Sequence, residues 1–195
     1  MRTLIVTAHP LADSLTASIA RRLADALPSD GVEVADLYAE GFDPRFTPAD
    51  RVPYETGSGF PPDVAAEQAR LDRTDHVVLV FPMYWWSFPA LLKGWIDRVF
   101  VNGWAFDIDA HDGTRRNLGR LTVHLIPVAG DSADVYDRHG YRQAFAAQIE
   151  HGILDYCGAR RGATAFVFDS EGDRDQRERH VTAAIDAVVQ AVSAD

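Results

Sequence analysis

Two rhythms alternate along this chain: short unbroken apolar runs, and apolar stripes spaced three or four residues apart. Residues 3–8 form an apolar run that stops at His9-Pro10, which predicts a buried first strand. Leu15, Ile19, Leu23 and Leu27 recur every four residues and make a helix stripe stopped by Pro28. Val32, Val34 and Leu37 alternate more loosely, as an edge strand does. A helix is expected over 63–73, a continuous apolar strand over 76–81 and a helix over 88–100, with another strand over 121–128. Phe145, Ile149 and Ile153 mark a helix over 141–156, closed by Gly158. A last strand spans 163–168, and Val181, Ile185, Val188 and Val192 stripe a closing helix. Between the second strand and the next helix, residues 41–62 are rich in Gly and Pro with four aromatics, and read as an irregular surface excursion. Apolar strands alternating with helices predict an α/β three-layer sandwich, a doubly wound five-stranded parallel sheet in the order 2-1-3-4-5. The whole of 1–195 is expected to form one domain, carrying that excursion.

Composition narrows the partners. A formal charge of −10 argues against nucleic acid, whose phosphates need clustered Lys and Arg. No apolar run approaches the length of a membrane span, and the start, MRTLIVTAHP, is too short in apolar residues for a signal peptide. The single cysteine, Cys157, rules out an intramolecular disulfide and fits a cytoplasmic location.

In such folds a ligand sits beyond the carboxyl ends of the strands, where strand order reverses. Three loops meet there: AHPLADSLT, FPMYWWSFP and PVAGDSADVYDRHGY. In the first, Ser14 is a good N-cap, and Ala17 rather than Glu or Gln stands three residues on, so no capping box closes over the free amides. Open amides at a helix start favour an anion such as phosphate, with His9, Ser14 and Thr16 as added donors. The bland reading is that Ser14 is only a cap and His9 only a turn residue. The second loop packs five aromatics and two prolines into nine positions. Tyr84, Trp85 and Trp86 can stack on a flat ring system, and Pro82 and Pro89 fix the loop's path. Aromatics there could equally cap a core or form a dimer surface. In the third loop Gly130 lets backbone amides approach a ligand, and Tyr136 and His139 are candidates to supply a proton. Neither G-x-G-x-x-G nor a P-loop occurs, and G-x-S-x-G is absent. The stretch DIDAHDG at 107–113 departs from an EF-hand in its glycine and final glutamate positions and reads as a solvated loop. No histidine or cysteine grouping suits zinc, so no metal is expected.

These loops in this order resemble the flavodoxin-like NAD(P)H:quinone reductase family. AHP with Ser five residues after the His, the long stretch FPMYWWSFPALLKGWIDRVFVNGWAF, VAGDSADVY and EHGILDYCG carry the resemblance over nearly the whole chain. It implies a flavodoxin-like fold and a flavin cofactor, with NAD(P)H as transient electron donor and a quinone-like acceptor. It also implies a homodimer with the site at the interface. His9, Ser14, Leu15 and Thr16 would hold the flavin phosphate. Pro82, Met83, Tyr84, Trp85 and Trp86 would line the ring, with Val128, Ala129, Gly130 and Asp131 beside its pyrimidine edge. Tyr136 would stand near the hydride-accepting region, with Trp104 and Phe106 walling the substrate pocket. An Arg corresponding to Arg179, and an excursion like 41–62, accompany FAD in relatives, so FAD is expected ahead of FMN. The chain departs from the family pattern where Val128-Ala129 replace paired threonines, where Asp131 replaces a glycine, and where Arg142 stands for a catalytic His. Arg142 can act as a fixed charge but not as a proton relay at neutral pH. The implied activity is two-electron transfer by ping-pong hydride transfer. The rival readings are a flavin-bearing regulatory or electron-shuttle protein and a flavin-free binding module.

Overall fold

The computed structural model describes residues 1–28, 30–109 and 113–194. In chain order the elements are β1 (Thr3–Thr7), α1 (Leu15–Ala26), β2 (Val32–Asp36), α2 (Pro48–Thr56), α3 (Pro62–Asp72), β3 (His76–Pro82) and α4 (Ala90–Val99). They continue as β4 (Phe106–Asp109), β5 (Gly113–Arg116), β6 (Thr122–Val128), α5 (Ala133–Arg138) and α6 (Tyr141–Phe145). A π-helical segment (Ala146–Asp155), β7 (Arg160–Thr164) and α7 (Arg174–Ser193) complete the chain. Five strands form one parallel sheet in the order β2-β1-β3-β6-β7. Counting only the strands of that sheet, this is the order the apolar rhythm predicts.

The three central strands are buried along their whole length, which is why they read as unbroken apolar runs. Alternate side chains leave the sheet on opposite faces. Leu4, Val6, Val77, Leu79, Phe81, Val123 and Leu125 join one core with Trp95, Phe145 and Ile149 from the helices on that face. Ile5, Val78, Val80, Ile126 and Val128 join a second core with Ile19 and Leu23 of α1 and Val181, Ile185 and Val188 of α7. Burying each such aliphatic side chain contributes roughly 1.5–3 kcal/mol against its exposed state.

The structure corrects several expectations. The 41–62 excursion contains α2, a helix hidden by its prolines. Pro48 occupies the first turn, where no N–H is needed, and Thr47 and Asp50 close a capping box over it. Arg98 of α4 binds the excursion to the body of the domain. Its Nε donates to Asp50 Oδ1 at 2.8 Å, and one terminal nitrogen donates to the Asp43 carbonyl at 2.8 Å and to Asp63 Oδ2 at 2.6 Å. Gly94 makes room for it, since a Cβ there would meet the Pro44 carbonyl oxygen at 2.2 Å. The stretch at 107–113 lies partly in an antiparallel hairpin, β4 with β5, while residues 110–112 lie outside the described residues. The helix expected over 141–156 begins as α6 and continues with π-helical turns. The last strand starts earlier than its apolar run: β7 is a largely exposed edge beginning at Arg160, with a register shift inside it between the Val123–Arg161 and Leu125–Thr164 pairs. Ala165 and Val167 still hydrogen-bond along β6, to the Leu125 and Pro127 carbonyls.

Candidate active site

At the carboxyl end of the sheet, a cleft of about 470 Å³ is lined by Met83, Tyr84, Trp85, Trp86, Gly130, Asp131, Tyr136 and Glu171. One wall follows directly from β3. Met83 N donates to the Val128 carbonyl at 2.8 Å, and Tyr84 and Ser87 then exchange two backbone hydrogen bonds at 3.2 Å each. Trp85 and Trp86 are the two central residues of this tight turn, with φ of 52° and 58°. Positive φ at both centres is the geometry of a type I′ turn, normally given to Asn-Gly. For bulky aromatic residues it stores about 1–3 kcal/mol of strain apiece. Asp169, φ 53°, is the other non-glycine residue with positive φ among those described, and it belongs to the loop after β7 at the same end of the sheet. Strain of this kind gathers where a ligand is handled.

The two indoles have different surroundings. Trp86 stacks on Tyr141, with centroids 4.2 Å apart and planes 22° from parallel, so one of its faces is taken. Ser87 Oγ donates to Gln148 Oε1 at 2.6 Å, tying the turn to the π-helical segment. Trp85 is 87% exposed and Tyr84 48% exposed, so both stand ready to cover a flat guest.

The opposite wall comes from the loops after β6 and β7. The Ala129 amide donates to the Val167 carbonyl, Ser170 N to the Ala129 carbonyl and Asp169 N to the Asp131 carbonyl. These bonds lock the two loops together and bring Glu171 over Gly130, where a built Cβ would lie 3.8 Å from Glu171 Oε1. Tyr136, on α5, is 2% exposed and lines the cleft. Burial first, then the charge of Asp131 and then Tyr141, push its phenol up to about 12, so it stays protonated at neutral pH.

At the start of α1, Ser14 caps the helix by accepting from Ala17 N at 3.2 Å. That leaves the Leu15 and Thr16 amides among the helix-start donors without intrahelical acceptors. His9 Nδ1 accepts from Leu11 N at 3.1 Å, which places the ring proton of the neutral imidazole on Nε2. A phosphate fits such a donor set. Beside it, the buried Thr7 hydroxyl at the end of β1 has no partner among the described residues.

The profile of the flavodoxin-like fold family matches residues 1–192. The chain belongs to that family. This flavodoxin-like protein is 31% identical over 212 aligned residues to human ribosyldihydronicotinamide dehydrogenase (quinone), the alignment covering 98% of this chain and 91% of that one. It is 32% identical over 178 residues to an uncharacterized NAD(P)H oxidoreductase of Escherichia coli, covering 87% of each. An NAD(P)H:quinone oxidoreductase from Methanothermobacter marburgensis superposes with a TM-score of 0.86 at 24% identity, covering 97% of this chain and 96% of that one.

Within the flavodoxin-like frame, the site residues expected from the sequence separate into groups. Met83, Tyr84, Trp85, Trp86, Gly130, Asp131 and Tyr136 meet in the cleft. His9 and Ser14 lie in the loop after β1, and Leu15 and Thr16 open α1. Pro82, Val128 and Ala129 are buried in the floor, and both backbone polar groups of Ala129 are already bonded, so these three support the wall rather than face a ligand. His139 is exposed and stacks on Tyr141 outside the lining. Arg142 is held by Asp137 through its Nε and lies 4.5 Å over the Phe168 ring, so its charge is spent away from the cleft. Arg179 is exposed on α7 beside a separate depression of about 390 Å³. Phe106 is 6% exposed and packed edge-on to Tyr156; it lines a separate cavity of about 230 Å³ with Tyr54, Ile96 and Ile153 and does not join the cleft. Trp104 donates to Asp72 Oδ1 at 3.1 Å, below the amino end of β3, and does not join the cleft of its own chain either. Glu171 escaped the sequence reading because its signal, the polar run DSEGD after an apolar stretch, lies on a fourth loop that an edge strand delivers.

Proposed function

We propose that this protein is a flavin-dependent oxidoreductase that transfers two electrons from NAD(P)H to a quinone or a similar flat acceptor. The overall change is quinone plus NAD(P)H plus a proton giving quinol and the oxidised nucleotide. The observation that carries this reading is the strained Trp85-Trp86 turn facing Gly130 and Asp131 across the cleft, with the open α1 amides following the neighbouring strand β1.

A flavin held there would supply two-electron hydride chemistry, which avoids one-electron products. His9 Nε2 and the Leu15 and Thr16 amides would hold its phosphate, and Tyr84 and Trp85 would cover its ring. The chain's own chemical contribution is Tyr136. Its hydroxyl, held protonated, can donate a hydrogen bond, or a proton, to an acceptor oxygen gaining negative charge. Of the three proton-handling candidates, Tyr136 alone lines the cleft.

FAD rather than FMN is the form we propose, on the presence of the folded excursion and of Arg179. The exposed Tyr84 and Trp85 on the rim support a homodimer with the cleft at its interface. The decisive experiment is an absorbance spectrum of the purified protein, mass analysis of the released chromophore, and NAD(P)H oxidation with naphthoquinone. A yellow protein releasing FAD and oxidising NAD(P)H only with quinone present is expected. A colourless chain that takes up neither flavin ends the proposal, and a coloured chain inactive toward NAD(P)H and quinone points to the electron-shuttle reading.

A further inference from the structure

The cleft carries charge of one sign only. Its lining holds two carboxylates, Asp131 and Glu171, and no Lys, Arg or His. Two nearby cations are committed elsewhere. Arg142 is paired with Asp137 and stacked over Phe168. Arg177 donates to the Ser170 carbonyl at 3.2 Å, on the α7 side of the loop. Glu171 has no ion-pair or hydrogen-bond partner among the described residues. The placement of that carboxylate is built rather than incidental. Asp169 adopts its left-handed turn, Gly172 N closes it onto the Asp169 carbonyl at 2.9 Å, and Gln176 Nε2 holds the Asp169 side chain at 3.2 Å. The loop is thereby fixed with Glu171 facing Gly130.

We infer that Glu171, together with Asp131, sets the charge preference of the cleft, so that it takes neutral or cationic flat acceptors and turns anionic ones away. The inference rests on the oxidoreductase reading above and adds the chemical class of acceptor. Two carboxylates in a concave, partly apolar site focus a negative potential onto whatever enters beside Gly130. A guest carrying a sulfonate or carboxylate on its ring meets that potential directly. A guest without charge neither gains nor loses from that potential. A quaternary ammonium group gains attraction.

The test holds NAD(P)H fixed and saturating and compares three acceptors on the flavin-loaded protein: a naphthoquinone sulfonate, unsubstituted naphthoquinone and a trimethylammonium naphthoquinone. The acceptors differ in intrinsic reduction potential, but those differences cancel when the same ratio is compared between variants. Glu171→Gln should raise the anionic-to-neutral ratio of kcat/KM by about threefold to fivefold, and Glu171→Lys by about tenfold or more. In the unaltered protein the anionic-to-neutral gap should narrow as salt rises to about 0.5 M, where the screening length falls to a few ångströms. The same acceptors are also titrated against Trp fluorescence, which reads binding whether or not turnover occurs. A charge ranking in Kd that collapses in Glu171→Gln without any turnover would count against the oxidoreductase reading and leave this inference standing. Ratios and Kd rankings that stay the same in both variants and ignore salt overturn the inference.

Discussion

Trp85 holds a conformation that a glycine would adopt freely, yet nearly all of its surface faces solvent. Replacing it with Gly relieves the left-handed strain and sacrifices almost no burial. Trp85→Gly should therefore stabilise the flavin-free chain by about 1 kcal/mol, read as a raised Tm. It should also lower flavin retention, read as the chromophore-to-protein ratio. An unchanged ratio would remove Trp85 from the binding surface. Trp86→Gly should behave oppositely in stability, because it forfeits the stack on Tyr141. Tyr136 supplies the second residue-scale prediction. Tyr136→Phe should cut quinone-dependent kcat/KM by about a hundredfold while flavin content stays unchanged. The same phenol ties stability to pH. Its folded value, about 12, lies above the ordinary 10, so the unfolded chain loses that proton first as pH rises. Stability should thus hold below pH 10 and fall between pH 10 and about 12, by up to roughly 2–3 kcal/mol. Denaturant titrations across that window should show a shallower fall in Tyr136→Phe.

Among the elements, α2 depends most on a single side chain. Arg98 is 5% exposed and Asp50 is 4% exposed, so removing the guanidinium leaves a buried carboxylate without its cation. Arg98→Ala should cost about 3–5 kcal/mol. Residues 41–62 should become the first site of proteolytic cutting, and mass mapping of early fragments would show it. Cuts distributed evenly along the chain would mean that Arg98 is not what holds the excursion. Arg98 and its partners also show why this helix was illegible. Gly and Pro density signals a loop, and only a capping box at Thr47 and Asp50 plus a cation from a distant helix makes a nine-residue helix hold. The hairpin β4–β5 and the short α5 escaped for a different reason, being too short to carry a period. The start of β7 escaped because an exposed edge strand has no need of apolar residues.

At the scale of the whole molecule, the homodimer we propose should run in light scattering at twice the 21.5 kDa chain mass. A monomer at micromolar concentration would leave the exposed Tyr84 and Trp85 to be covered by the cofactor or the acceptor alone. No described helix is long and apolar enough to cross a membrane. The order of the sheet, the two faces of its core and the carboxyl-end location of the cleft were all written in the sequence, since burial on both faces forces unbroken apolar runs and crossovers have one hand. The resemblance carried by the aromatic loop named most of the cleft's lining. Four matters waited on tertiary structure: the left-handed turn at Trp85-Trp86, the diversion of Arg142 onto Asp137 and Phe168, the burial of Phe106, and the arrival of Glu171 over Gly130. Each depends on which distant side chains or backbone groups come to neighbour a residue, and neither periodicity nor local propensity records that.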